Sequence, residues 1–196
     1  METASPRPNY DAWLDRWPEF RDGTGRTALD VGCGPGFDTQ VLRSRGFSVV
    51  ASDISADAFS ASRLRNPGVE HVVADARTLA PFHDGGFDVV VACLSLHYFD
   101  RLDSSLAIRS LHRVLREGGV FAFRVNAWDD ANFGAPTPFL PWEVTLYEGR
   151  PKQFFTEDML RELLMGRFEI LSLEKQNSTR YGKKKSLFEC ISKRRR

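Results

Sequence analysis

The chain has 196 residues, 42% hydrophobic and 27% charged, and 27 Lys and Arg against 26 Asp and Glu leave a formal charge of +1. This composition suits one globular domain with a core around a single sheet, and it excludes a disordered chain, a collagen-like repeat or a small disulfide scaffold. No apolar stretch approaches the roughly 18 residues that span a bilayer. The start, METASPRPNYDAW, lacks the apolar centre of a secretory signal, and Cys33, Cys93 and Cys190 show neither CxxC spacing nor a histidine cluster; a reduced cytoplasmic setting without a metal or a membrane is expected.

In chain order, Tyr10, Trp13 and Trp17 recur at three- and four-residue spacing and predict a short amphipathic helix, an N-terminal cover within residues 1–22. An apolar strand at 27–31 runs into glycines and a helix at 37–44 that stops at Gly46. A strand at 48–52 follows, then a helix capped by Ser55 with Asp57 in its first turn, ending by Asn66-Pro67-Gly68. Strands are expected at 70–74 and 87–93. Asp103 is read as the cap of a helix whose Ala107, Leu111, Val114 and Leu115 share a face and whose left-handed stop is Gly118, before a strand at 120–125.

The stretch 126–155 sets Pro136, Pro138, Pro141 and Pro151 among Trp128, Phe133, Phe139, Trp142 and Tyr147. It is long for a connection, and its expected role is a lid or substrate-binding insertion. Thr156 caps a further helix, with Leu160, Leu163 and Leu164 inward and Gly166 as its stop. Strands at 168–173 and 186–192 are separated by a polar stretch too short for a crossover helix, so they should pair antiparallel. Strand–helix–strand alternation makes the whole an α/β domain, a mostly parallel sheet covered on both faces. Charge is uneven: residues 1–179 carry 19 basic and 25 acidic side chains, whereas 180–196 carry 8 basic and 1 acidic. The basic end, with Lys183 to Lys185 and the KRRR terminus, is read as solvated, with contact to nucleic acid or an acidic membrane surface as the alternative.

The most informative run is Thr27 to Gly36, a strand leading into Gly32, Gly34 and Gly36. Glycines there admit close approach of a ligand to the backbone. A dinucleotide fingerprint would place its third glycine one residue later, and Asp30, two residues before Gly32, suits a cationic ligand better than a diphosphate. Asp53 ends the neighbouring strand, where a carboxylate can accept both hydroxyls of a ribose. Asp75 ends the next, placed for an exocyclic purine amine with the backbone around Ala76 at the ring edge; for either acid alone, helix capping is an equal reading.

The set LDVGCGPG, VVASDIS, VVADA, FDVVVACLSLHYF and RVLREGGVFAFRVN resembles the class I S-adenosylmethionine-dependent methyltransferases over about residues 27–192. The resemblance implies a Rossmann-like three-layer sandwich with a seven-stranded, mostly parallel sheet whose last strand is antiparallel. It implies S-adenosyl-L-methionine as cofactor and S-adenosyl-L-homocysteine as product. Asp30, Gly32, Cys33, Gly34 and Gly36 would then hold the methionine portion, Asp53 and Ile54 the ribose side, Asp75 and Ala76 the adenine, and Cys93 would offer its backbone beside the sulfonium. The segment 151–174 is loosely similar to the closing part of bacterial tellurite-resistance-type methyltransferases.

Methyl transfer from a sulfonium is an in-line displacement, so positioning carries most of the demand. His97 is the candidate general base, with a structural histidine as the alternative, and Tyr98, Arg124 and Asn126 are candidates on the acceptor side. Arg124 is also read as a partner of Asp129 or Asp130. The expected acceptor is a small molecule. A nucleic-acid methyltransferase is disfavoured because Cys-Leu-Ser-Leu follows the fourth strand in place of an Asp/Asn-Pro-Pro-aromatic run. A cofactor-binding protein without turnover and a nicotinamide-dependent oxidoreductase complete the readings.

Overall fold

The computed structural model describes residues 12–179 and 182–196. Seven strands form one sheet: β1 (Thr27–Val31), β2 (Ser48–Asp53), β3 (Glu70–Val73), β4 (Phe87–Cys93), β5 (Leu115–Asn126), β8 (Phe168–Ser178) and β9 (Lys185–Arg194). Their order is β3-β2-β1-β4-β5-β9-β8, parallel through β5, with β9 antiparallel to both of its neighbours. A separate antiparallel hairpin, β6 (Val144–Tyr147) and β7 (Arg150–Gln153), lies in the insertion. Among the described residues four α-helices complete the fold: α1 (Phe37–Ser44), α2 (Phe59–Arg65), α3 (Arg101–Val114) and α4 (Glu157–Leu164). No helix among the described residues is long and apolar enough to cross a membrane.

The strands read as continuous apolar runs because both faces of the sheet are covered. Leu29, Val90 and Phe121 point to the side of α3 and α4, where they meet Leu111, Val114 and Leu160. Ala28, Val89 and Val91 point to the opposite side, against Leu42 of α1 and the N-terminal Trp13, Leu14 and Phe20. Full burial of such a side chain contributes about 1.5–3 kcal/mol. The strand order reverses between β1 and β4, so the loops after these two strands diverge and leave a crevice at their carboxyl ends.

Several boundaries differ from the sequence reading. The cap of α3 is Asp100, whose side chain accepts from the Asp103 backbone N–H at 2.8 Å; Asp103 sits in the first turn and pairs with Arg77. The helix ends at Val114, because Leu115 is already extended and paired with Phe87. Gly118, with φ 68°, lies in the bulge where the β4–β5 register shifts between Phe87 and Val89, so its left-handed conformation serves the strand and not the helix end.

The polar stretch after residue 173 is largely strand, with Asn177 paired to Ser186 and Ser178 to Lys185. The basic C-terminal segment is solvated only in part: Lys183, Lys184, Lys193, Arg195 and Arg196 are exposed, as expected, whereas Lys185 is not. β9 is an interior strand, and Lys185 is buried in an ion pair with Asp130 at 2.8 Å. Near the N-terminus two 3-10 turns, Trp13–Arg16 and Pro18–Phe20, replace the expected helix, and Tyr10 lies outside the described residues. Trp13, Leu14 and Phe20 belong to the core, so a truncation of residues 1–20 would open the sheet face rather than merely uncover a ligand.

The insertion leaves and returns at one point. Ala127 bridges Phe155, and the Phe155 N–H donates to the Asn126 carbonyl at 3.0 Å. Its hairpin turns through Glu148 and Gly149, with φ 51° and 73°, the positive pair that a two-residue type I′ turn demands.

Candidate active site

The crevice is a cavity of about 940 Å³ above β1 and β4. Its floor is the glycine turn after β1. Gly32 has φ 70°, and a Cβ there would stand 2.3 Å from Ser95 Cβ, so only glycine allows the two loops to meet. Gly34 is different: a Cβ would meet nothing within 4 Å, and its bare backbone faces the cavity that it lines. Gly32 and Cys33 both donate backbone N–H bonds to the Ser52 carbonyl, at 2.8 and 2.9 Å, which ties the turn to the end of β2.

At that strand end Asp53 lines the cavity. Its Oδ2 accepts from the Gly34 N–H and its Oδ1 from the Ser55 N–H, both at 3.2 Å, which orients the carboxylate and leaves lone pairs for a ligand. Ile54, Ala58, Ala74 and Ala76 supply small apolar wall around it. The Asp75 side chain is taken by Arg77, whose Nη2 donates to Oδ2 at 2.6 Å and whose Nε donates to both oxygens at 3.0 Å. These bonds lower the Asp75 pKa, and the carboxylate does not line the cavity. The carboxylate expected to meet an amine is thus engaged by Arg77, and Ala74 and Ala76 form the cavity wall beside it.

Asp30 is likewise behind the wall. It is 2% exposed, and its Oδ2 accepts from the Thr39 hydroxyl of α1. Burial first, and then the nearby Asp38 charge, raise its pKa to about 7. Asp38 itself does line the cavity, with Oδ1 held by the Trp13 indole N–H at 2.8 Å. Two carboxyls at the floor thus share one negative potential, a setting that attracts a cation. Sequence reasoning missed Asp38; its signal is an acid in the first turn of the helix that follows the glycines. The Cys33 thiol is pushed up to about 12 by burial, then by Asp30 and Asp53, and is inert as a nucleophile.

The opposite wall comes from the end of β4 and from the insertion: Cys93, Leu94, Ser95, Tyr98, Phe99, and Arg150 with Pro151 of β7. Arg150 and Pro151 were outside the sequence-based set. His97 does not line the cavity. Its ring is 3% exposed, 4.4 Å from the Tyr98 ring, and burial followed by the charges of Lys185 and Lys152 lowers its pKa well below 6.5. An imidazole that resists protonation is a poor general base, which corrects that expectation. Arg124 is 3% exposed, ion-paired with Glu189 of β9 and 4.8 Å from the Trp13 ring centre, not bound to Asp129 or Asp130 and not in the cavity wall. Asn126 is fully buried at the end of β5.

A family described as a methyltransferase domain matches residues 29–123. The malonyl-[acyl-carrier protein] O-methyltransferase of Enterobacter lignolyticus is 31% identical over 160 residues, 82% of this chain and 60% of that protein. The fatty-acid O-methyltransferase of Mycolicibacterium smegmatis is 32% identical over 138 residues, 65% of this chain and 49% of that protein. The chain therefore spans three fifths or less of these curated relatives. Among solved structures, an S-adenosylmethionine-dependent methyltransferase of Methanosarcina mazei superposes with a TM-score of 0.76 at 26% identity, over 91% of this chain and 98% of that one. With the superposition extending along nearly all of the archaeal protein, and the family match starting on the strand that leads into the cavity, the chain belongs to the class I S-adenosylmethionine-dependent methyltransferases.

Proposed function

We propose that this chain binds S-adenosylmethionine in the crevice above β1 and β4 and passes its methyl group to a small-molecule acceptor. The observation that carries this reading is the cavity of about 940 Å³ with a glycine floor, oriented Asp53 and a second acidic group at Asp38. Such a cavity falls in the size range of small-ligand pockets. The residues fit the cofactor. Asp53 would accept the ribose hydroxyls, the Ala74–Ala76 wall and Ile54 would bracket the adenine, and the Asp30–Asp38 field would receive the cationic methionine end. The bound cofactor supplies an electrophilic methyl on a sulfonium. The protein's part is then to orient the acceptor and exclude water, a positioning effect that reaches about 7–11 kcal/mol in well-aligned reactions. Tyr98 and Phe99 would present aromatic faces beside the positive sulfur.

The insertion 126–155 is assigned to the acceptor side, because Arg150 and Pro151 close the cavity there. The relatives named for malonyl-carrier and fatty-acid methylation support an acceptor of small-molecule or acyl type. Calorimetry with S-adenosylhomocysteine tests the reading: heat of binding is expected for the wild type, with a loss of about 10- to 100-fold in affinity for Asp53→Ala, as removal of charge-assisted hydrogen bonds implies. No binding by the wild-type chain, or binding of NAD in its place, would overturn it.

A further inference from the structure

Behind Tyr98 and Arg150 the insertion and β9 bury two lysines against one aromatic ring. Lys185 Nζ lies 4.2 Å and Lys152 Nζ 5.8 Å from the Phe133 ring centre, and Lys152 Nζ is 4.1 Å from that of Tyr147. The exposures are 4% and 9%, so both charges are largely out of water. Asp130 balances Lys185; among the described residues no carboxylate stands at ion-pair distance from Lys152. Burial first, then Lys185, lowers the Lys152 pKa, and the more distant Glu148 and Asp130 offset only part of this. An uncompensated buried ammonium is expensive, and it is relieved by loss of its proton, by contact with aromatic faces or by an anion.

A second observation points the same way. His97 Nδ1 and both amide atoms of Asn126 are buried without hydrogen-bond partners among the described residues. Register puts Asn126 at the same end of the sheet as Lys185. Cys93 pairs with Arg124 and Asn126 with Leu187, so Cys93, Arg124 and Asn126 share a face with Leu187 and, two residues along, Lys185. Lys185 and Cys93 are close enough to interact, and Cys93 lines the cavity. On β7, Lys152 follows the cavity-lining Arg150 by two residues and so faces the same way.

We propose that this cluster is the acceptor's anchor, and that the acceptor carries a carboxylate held by Lys152 with Asn126 as a polar neighbour, reaching past the Arg150–Pro151 wall at the insertion end of the cavity. The inference rests on the methyltransferase reading above and specifies its substrate class. Lys152 is the single ammonium of the cluster without a carboxylate at ion-pair distance among the described residues, and a monoanion matches one charge better than a phosphate dianion. The Phe133 and Tyr147 rings beside the lysines favour an apolar body next to the carboxylate.

The test uses the full chain saturated with S-adenosylhomocysteine, so that failure to bind this nucleoside, which would sink the methyltransferase reading, is seen separately. Calorimetric titrations compare benzoate with benzamide and octanoate with octanamide, pairs of equal shape that differ in charge. At least a tenfold preference for the carboxylate is expected in one pair. Lys152→Met should abolish the preference and Lys152→Arg should keep it, with melting temperatures confirming that both variants fold. Equal or absent binding of acid and amide in both pairs, a preference that survives Lys152→Met, or tighter binding of phenyl phosphate than of benzoate would each overturn the proposal.

Discussion

Replacing Asp30 by Asn should stabilise the protein at neutral pH while weakening its ligand site. Asp30 is buried, hydrogen-bonded by Thr39 and beside Asp38, and its pKa rises from the ordinary 3.8 to about 7. Below pH 4 the carboxyl is protonated in folded and unfolded chains alike, and no difference arises. Between pH 4 and 7 the folded chain keeps a proton that the unfolded chain has released, so stability falls as pH rises, by at most about 4 kcal/mol at the upper end. Above pH 7 both states are ionised and the loss is constant.

Asn keeps an oxygen to accept the Thr39 hydroxyl and carries no charge at any pH. Urea unfolding of wild type and Asp30→Asn at pH 5 and pH 8 should therefore show the variant gaining on the wild type by about 3 kcal/mol across that interval. The same variant should bind S-adenosylhomocysteine more weakly at pH 8, because one carboxylate of the floor has gone. A stability difference that is the same at both pH values would refute the reasoning, since it would show that Asp30 titrates alike in folded and unfolded chains.

Two further outcomes follow from the packing. Gly32→Ala forces a left-handed backbone, worth about 1–2 kcal/mol, and drives a methyl into Ser95 at 2.3 Å; S-adenosylhomocysteine affinity should drop at least tenfold, and adding Ser95→Gly should recover the steric part in calorimetry. Glu189→Gln removes a charged partner of the buried Arg124 and of Arg16 and should cost up to about 3–5 kcal/mol in urea unfolding.

The elements that the sequence displays best are those whose pattern is local. The first and fourth strands and the α1 helix coincide with the reading, residue for residue, because apolar runs bounded by glycine leave no competing register. Thr156 is the cap of α4 as expected, its hydroxyl accepting from the Met159 N–H at 3.3 Å. The α3 boundary was misread because Asp100 and Asp103 are both acceptable caps by type, and only the strand pairing of Leu115 decides where the helix must stop. The β6–β7 hairpin was hidden because its turn is Glu-Gly, with Glu148 carrying a positive φ that nothing in its residue type announces.

The site divides along the same line. Its glycines and Asp53 are legible because they sit on one short strand–turn–helix unit and at the end of the adjoining strand. Burial is a property of the whole chain, and it alone decided that Asp30 meets Thr39 of α1, that Asp75 belongs to Arg77, that His97 is withheld from the cavity and that Arg124 pairs with Glu189. The sequence by itself determined a mainly parallel sheet ending in an antiparallel pair and a glycine turn after its first strand, since periodicity and glycine spacing act over a few residues. Tertiary structure decided which charged groups meet a ligand and which meet each other, because the pairings of Lys185 with Asp130 and Arg124 with Glu189 join residues 55 and 65 positions apart that no local pattern connects.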